Sequence, residues 1–211
     1  MKNRDYLVEA CVEGLDQVIR AEKQDADRVE LCARLDLDGL TPDVETIKAA
    51  FKHCKIPIRV IIRPREGGFV YSASELDQMR ESIQVCKNIG VEGVVFGITT
   101  EENTLDILAI EELAYFAAPL KVTIHKAIDA VSSPLNELDR LMGIDNIDAI
   151  LTSGKAPTWE AGQALIKELI KKAAGRIQII ACGKVTDENI VTVHRRIQST
   201  AYHGKRIVGK L

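Results

Sequence analysis

Short runs of β-branched and other apolar residues alternate along the chain with longer stretches whose apolar positions recur at helical spacing. The runs fall at Tyr6–Ala10, Arg28–Leu31, Ile58–Ile62, Gly93–Phe96, Lys121–Ile124, Ala149–Leu151, Ile177–Ala181 and, more weakly, Ala201–Tyr202. Between them the pattern predicts helices over Gly14–Gln24, Asp43–Cys54, Ser74–Ile89, Asn103–Phe116, Pro134–Met142, Thr158–Ala174 and Thr186–Gln198. Thr41-Pro42 reads as a helix start, Gly90 as a C-terminal cap, and Thr186 as an N-cap with Asn189 three residues on.

Strands separated by helices pair in parallel through right-handed crossovers. That leaves an open doubly wound sheet or a closed barrel. Polar residues follow nearly every strand, which favours closure. No Gly-x-Gly-x-x-Gly follows the first strand, so no nucleotide cofactor is evident. The expected fold is an α/β (β/α)8 TIM-type barrel, a single domain over residues 1–211. Its 211 residues fall short of the roughly 250 typical of that fold, and little chain follows the eighth strand. The barrel is therefore expected to be shortened there, its closing helix absent or reduced.

Successive side chains on a strand point to opposite faces. If Val8 and Ala10 face the helices, then Leu7, Glu9 and Cys11 face the barrel axis. If Val29 and Leu31 face out, then Arg28, Glu30 and Cys32 face in. The same parity turns Arg63 and Arg65 inward after the third strand, and Thr123 and His125 inward on the fifth. These polar groups would collect at the C-terminal end of the strands, where barrel enzymes place their chemistry. Buried carboxylates and guanidinium groups must pair or face a wet cavity, so the cluster is either a site or an ion network closing the barrel. In a closed barrel the eighth strand neighbours the first, about 4.8 Å away, which sets His203 beside Glu9 and near Glu30.

Composition narrows the function classes. A 46% hydrophobic and 28% charged chain is ordinary for a globular protein. A net charge of -3, with no Lys/Arg run, gives no footprint for nucleic acid. The charged N-terminal stretch lacks a signal-peptide core, and no apolar run approaches the roughly 20 residues needed to span a bilayer. A cytosolic, soluble protein is expected. Five cysteines, odd in number and without Cys-x-x-Cys, argue against a disulfide framework or a zinc knuckle.

Several motifs, in order, closely resemble the CutC family. They are Val8-Glu9-Ala10-Cys11, Ala26-Asp27-Arg28-Val29-Glu30-Leu31-Cys32, Gly39-Leu40-Thr41-Pro42, Ile62-Arg63-Pro64-Arg65, Tyr71-Ser72, Val122-Thr123-Ile124-His125-Lys126-Ala127-Ile128-Asp129 and Leu151-Thr152-Ser153-Gly154. The similarity runs from about Tyr6 to His203. It implies a mostly cytoplasmic (β/α) barrel, expected to self-associate, named for a role in copper homeostasis. Cys11 and Cys32 match the two cysteines proposed there to bind Cu(I), and soft thiolates suit that ion. The alternative is that both are small buried residues of the barrel lining.

The chain departs from the family pattern at several points. Lys126 stands where Arg is frequent, Ala181-Cys182-Gly183-Lys184 replaces a glycine-rich run, and Gly204-Lys205 replaces a small hydroxyl pair. Longer members continue beyond Leu211, so a function needing that tail is not expected here.

Two function classes follow. One is copper handling through Cys11 and Cys32. The other is an enzyme acting on a small anionic or phosphorylated substrate. For that, Arg28, Arg63, Arg65, Lys126, Lys184 and His203 would hold the anion, together with donors from Thr152 and Ser153. Glu9, Glu30 or His125 would do acid/base work, with Asp129 orienting the His125 ring four residues away.

Overall fold

A computed structural model of the chain describes residues 4–211; residues 1–3 of the charged N-terminal stretch lie outside them. Eight parallel strands close in sequence order. They are β1 (Leu7–Glu13), β2 (Arg28–Cys32), β3 (Ile58–Ile61), β4 (Gly93–Phe96), β5 (Lys121–Ile124), β6 (Ile147–Thr152), β7 (Gln178–Ala181) and β8 (Ala201–Gly204). Closure is made where β8 pairs β1, with Glu9 opposite His203. Around the strands lie α1 (Gly14–Lys23), α2 (Val44–His53), α3 (Ala73–Ile89), α4 (Ile107–Ala117), α5 (Ala127–Ala130), α6 (Pro134–Leu141), α7 (Trp159–Ala173) and α8 (Ile190–Ile197). Among the described residues no helix follows β8, and no helix is long and apolar enough to cross a membrane.

Local chemistry explains the helix starts. Ser72 caps α3 through a reciprocal capping box with Glu75, and Asp43 caps α2 through the Thr46 amide. Gly90 ends α3 in the left-handed conformation. Other boundaries differ from the sequence pattern. α4 begins at Ile107 because residues 99–105 fold back on themselves through a Thr99–Leu105 bridge. Thr186 is not the N-cap of α8: it bridges Arg206, its amide donates to Asn189 Oδ1, and Asn189 occupies the cap position. The single turn α5 was too short to show a period.

The strands carry two different faces. Val8, Ala10, Val29, Leu31, Val60 and Ile62 point outward into one continuous core shared with the helices. The inner face is divided. Ala149, Leu151, Ile180, Cys182 and Ala201 form one small apolar group, and Cys11, Cys32 and Ile61 form another.

At the N-terminal end of the strands the interior is closed by Arg59, whose side chain is 1% exposed. Its guanidinium donates to Asp148 at 2.6 and 2.9 Å, to Glu92 at 3.1 Å and to the Thr123 hydroxyl. A buried guanidinium is tolerable only with acceptors of this number. Gly93 nearby is needed for the strand pairing, since a Cβ there would lie 2.6 Å from the Lys121 carbonyl oxygen. An ion network of Arg59, Glu92 and Asp148, separate from the cluster at the C-terminal end, therefore closes the N-terminal end. The C-terminal end is left open.

Candidate functional site

The two-residue period of β1 and β2 delivers Glu9, Cys11, Glu30 and Cys32 to the axis, and the register sets Glu9 against Arg28 and Cys11 against Glu30. Strand stagger then brings Cys32 over Cys11, with their sulfurs 3.9 Å apart. Cys32 Sγ also lies 3.7 Å from Glu30 Oε2. The two sulfurs and a Glu30 oxygen all fall within 4.8 Å of one another. Ile61 and Leu35 pack beside the sulfurs.

Beneath them is a charged floor. Arg28 Nε donates to Glu9 Oε2, and His203 bridges the two glutamates, with Nδ1 2.9 Å from Glu9 and Nε2 3.6 Å from Glu30. All four side chains are buried. Burial pushes the Glu9 carboxyl up, but Arg28 and His203 more than reverse this and hold it at about 2. Glu30 has no such cation to itself. Burial raises it to about 8, helped by the negative charge of Cys11 and Glu9. For His203 burial opposes the charge, and Glu30, Cys11 and Glu9 together outweigh it, so the ring stays protonated well above its ordinary range. The thiols divide likewise. Cys11 is lowered chiefly by the hydrogen bond from Cys32, and Cys32 is raised by giving it and by burial. Cys11 is thus the more readily ionised of the two thiols.

Above the sulfurs opens a cavity of about 800 Å³, inside the range of roughly 300–1,000 Å³ usual for small-molecule sites. Its walls include Glu30, Arg63, His125, Lys126, Lys184 and His203. Arg63 also props the wall, donating to the carbonyls of Leu37, Gly39 and Gly67 and stacking on Phe69. His125 ends β5, its ring 4.7 Å from that of Phe69. Gly97 is required beside it, because a Cβ there would lie 2.7 Å from His125 Nδ1.

The remaining residues singled out in the sequence lie elsewhere. Glu9 and Arg28 form the floor and do not border the cavity. Arg65 is turned away: it pairs with Glu75, donates to the carbonyls of Glu66, Gly68 and Val70, and stacks on Tyr71. Asp129 does not orient His125. Its carboxylate accepts from Thr152 Oγ1 (2.5 Å), from the Ser153 amide and hydroxyl (2.9 and 3.0 Å) and from the Lys155 amide (3.0 Å). The Thr152 and Ser153 donors expected for an anion are thus already engaged, and neither residue borders the cavity. Cys182, just after β7, lines the cavity, and burial pushes its thiol up to about 12.

Sequence reasoning missed three contributors. Arg59 shares the inward parity of Ile61, and that signal was present in the strand. Phe69 and Arg206 sit on connections whose path no local pattern reveals.

The donor set fits a soft metal ion. A metal bonded at about 2.3 Å to each sulfur spans sulfurs up to about 4.6 Å apart, and the observed 3.9 Å falls within that reach. Comparison with known proteins agrees with the motifs. The CutC family profile matches residues 6–208. The family protein CutC of Mesorhizobium japonicum is 38% identical over 197 residues, 93% of this chain and 76% of that protein. The human copper homeostasis protein cutC homolog is 36% identical over 198 residues, covering 94% and 72%. The CutC crystal structure from Streptococcus agalactiae superimposes with a TM-score of 0.90 at 33% identity, over 96% of this chain and 99% of that one. On the profile, the relatives and the shared barrel together, the chain belongs to the CutC family.

Proposed function

We propose that this chain, as a single-domain cytosolic protein, serves copper homeostasis by holding Cu(I) between Cys11 and Cys32. One observation carries the reading: two buried thiols 3.9 Å apart at the inner end of an open cavity. The name of the human relative points the same way. Thiolates are soft donors suited to Cu(I), and the five cysteines are all free, as a reducing compartment would keep them.

Charge balance supports a monovalent ion. With Cys11 the more readily ionised thiol, exchanging the Cys32 proton for Cu(I) would leave the buried charge unchanged. A divalent ion would add a charge beside protonated His203, unless Glu30 also lost its proton. In a low-dielectric interior that difference is costly. Glu30 then acts as a neutral neighbour, and His203 as the positive group that offsets Cys11. The ion is cargo here, gained and released through the mouth.

Anaerobic Cu(I) titration against a competing chelator tests this, with Cys11→Ala and Cys32→Ala alongside the wild type. One equivalent should bind, and each variant should lose more than about a hundredfold in affinity, exceeding what outer-shell changes cost. Equal affinities in all three proteins would sink the proposal. Self-association, implied by family resemblance, is part of the same reading, and light scattering of the apo and copper-loaded protein checks it.

A further inference from the structure

The two sulfurs occupy one end of the cavity and leave most of it unexplained. A water molecule takes about 30 Å³ of liquid, so some 800 Å³ far exceeds the needs of one ion. The rest of the lining has a different chemistry. Lys126 follows β5, Lys184 follows β7, and Lys205 and Arg206 follow β8, and all four border the cavity with Arg63. Among the described residues only two carboxylates, Glu30 and Asp38, line it. Lys205 reaches the Leu35 carbonyl. The side chains of Lys126, Lys184 and Arg206 make no hydrogen bond or ion pair among the described residues. Cations gathered from separate loops over a low-dielectric wall focus a positive potential into the space they share.

His125 adds a directed donor. Its Nδ1 accepts from the Ala127 amide at 3.2 Å, which in a neutral ring puts the hydrogen on Nε2. Nε2 is buried and has no partner among the described residues. Burial first, then the charges of Arg63 and Lys126, hold the ring neutral down to about 3. A buried N–H without an acceptor is costly, and an acceptor brought into the cavity would remove that cost. Phe69, Ile61, Leu151 and Val185 give the same space an apolar lining, suited to a short carbon body.

We propose that the cavity binds a small organic anion, a phosphate ester or carboxylate, whose charge is held by Lys126, Lys184 and Arg206 and whose acceptor oxygen meets His125 Nε2–H. Its cations come from the loops after β5, β7 and β8 rather than from the cysteines, so the proposal does not rest on the copper reading. The anion would sit above the metal position, so the two ligands could occupy the cavity together.

Isothermal titration calorimetry at fixed ionic strength tests it, with inorganic phosphate, glycerol phosphate and glycolate as probes. At least one should bind saturably to the wild type, and the phosphates against glycolate distinguish the two sources of negative charge. Lys126→Met/Lys184→Met, a surface change that spares the core, should weaken that binding about tenfold or more, as lost bonds to a charged group do. His125→Phe should weaken it similarly. A Cys11→Ser/Cys32→Ser protein should bind the anion within about twofold of wild type, while the lysine variant keeps its Cu(I) affinity. No saturable binding by any of the three probes overturns the proposal. So does equal affinity in the lysine or the His125 variant, or loss of anion binding in the cysteine variant.

Discussion

Replacing Glu9 by Gln removes one negative charge from beneath the cavity while keeping the shape of the side chain. Arg28 would then be left as a buried cation without its partner, and His203 would lose one of its two glutamates. The size of the effect follows from the carboxyl itself. Its fall from an ordinary 4.5 to about 2 corresponds, at about 1.4 kcal/mol per pH unit, to about 3 kcal/mol of folding stability at neutral pH. That agrees with the roughly 3–5 kcal/mol lost when a buried pair is broken on one side. For a chain of this length it amounts to a midpoint about 6–12 °C lower.

The sign with pH is fixed. A depressed carboxyl stabilises above its unfolded value and loses that contribution as pH falls from about 4.5 toward 2. Calorimetric unfolding of both proteins between pH 7 and pH 3 should therefore show a gap that is full at pH 7 and shrinks in acid. Glu9→Gln/Arg28→Met should regain part of the loss, because no lone charge remains on Arg28. A Glu9→Gln protein within about 1 kcal/mol of wild type at pH 7 would refute the reasoning, as would a gap that acid leaves unchanged.

Glu30 should behave in the opposite sense. A carboxyl raised to about 8 contributes stability below pH 4.5 that is lost as pH rises through 8, so urea unfolding of the apo protein should weaken across that window. Glu30→Gln should flatten the dependence, and an identical slope in the two proteins would contradict the assignment. Asp129→Asn should cost about 1–3 kcal/mol, because the amide nitrogen replaces one carboxylate oxygen and cannot accept, so either the Ser153 bonds or the Thr152 and Lys155 bonds are lost. Hydrogen exchange should then quicken at the Ser153 or the Lys155 amide, and unchanged protection at both would count against the role given to Asp129.

Much of the inner face was legible because parity along a strand belongs to the backbone and survives any tertiary context. Glu9, Cys11, Glu30 and Cys32 follow from it directly. So would Arg59, which has the parity of Ile61 and went unremarked because the reading began from the strand ends. Asp129 shows where local spacing misleads. Four residues place two side chains together only within a helix, and His125 precedes the helix, directly after β5, with its amide bonded to the Phe96 carbonyl. The helical turn begins after Lys126 and carries Asp129 across to the β6–α7 connection. Arg65 likewise has the right parity, but β3 ends at Ile61, and beyond a strand alternation fixes nothing.

By itself, then, the sequence determined the alternation of elements, their closure into a barrel class, and which side chains of β1 and β2 face the axis. These follow from periods of two and 3.6 residues, which are local properties. The tertiary structure decided the rest. It set Cys32 over Cys11 although Cys11 pairs in register with Glu30, and it joined β8 to β1 so that His203 bridges two glutamates. It also decided which donors are already satisfied, as at Thr152 and Ser153, and which are not, as at His125. Register, stagger and satisfaction depend on how all eight strands pack at once, so no segment of the chain encodes them alone.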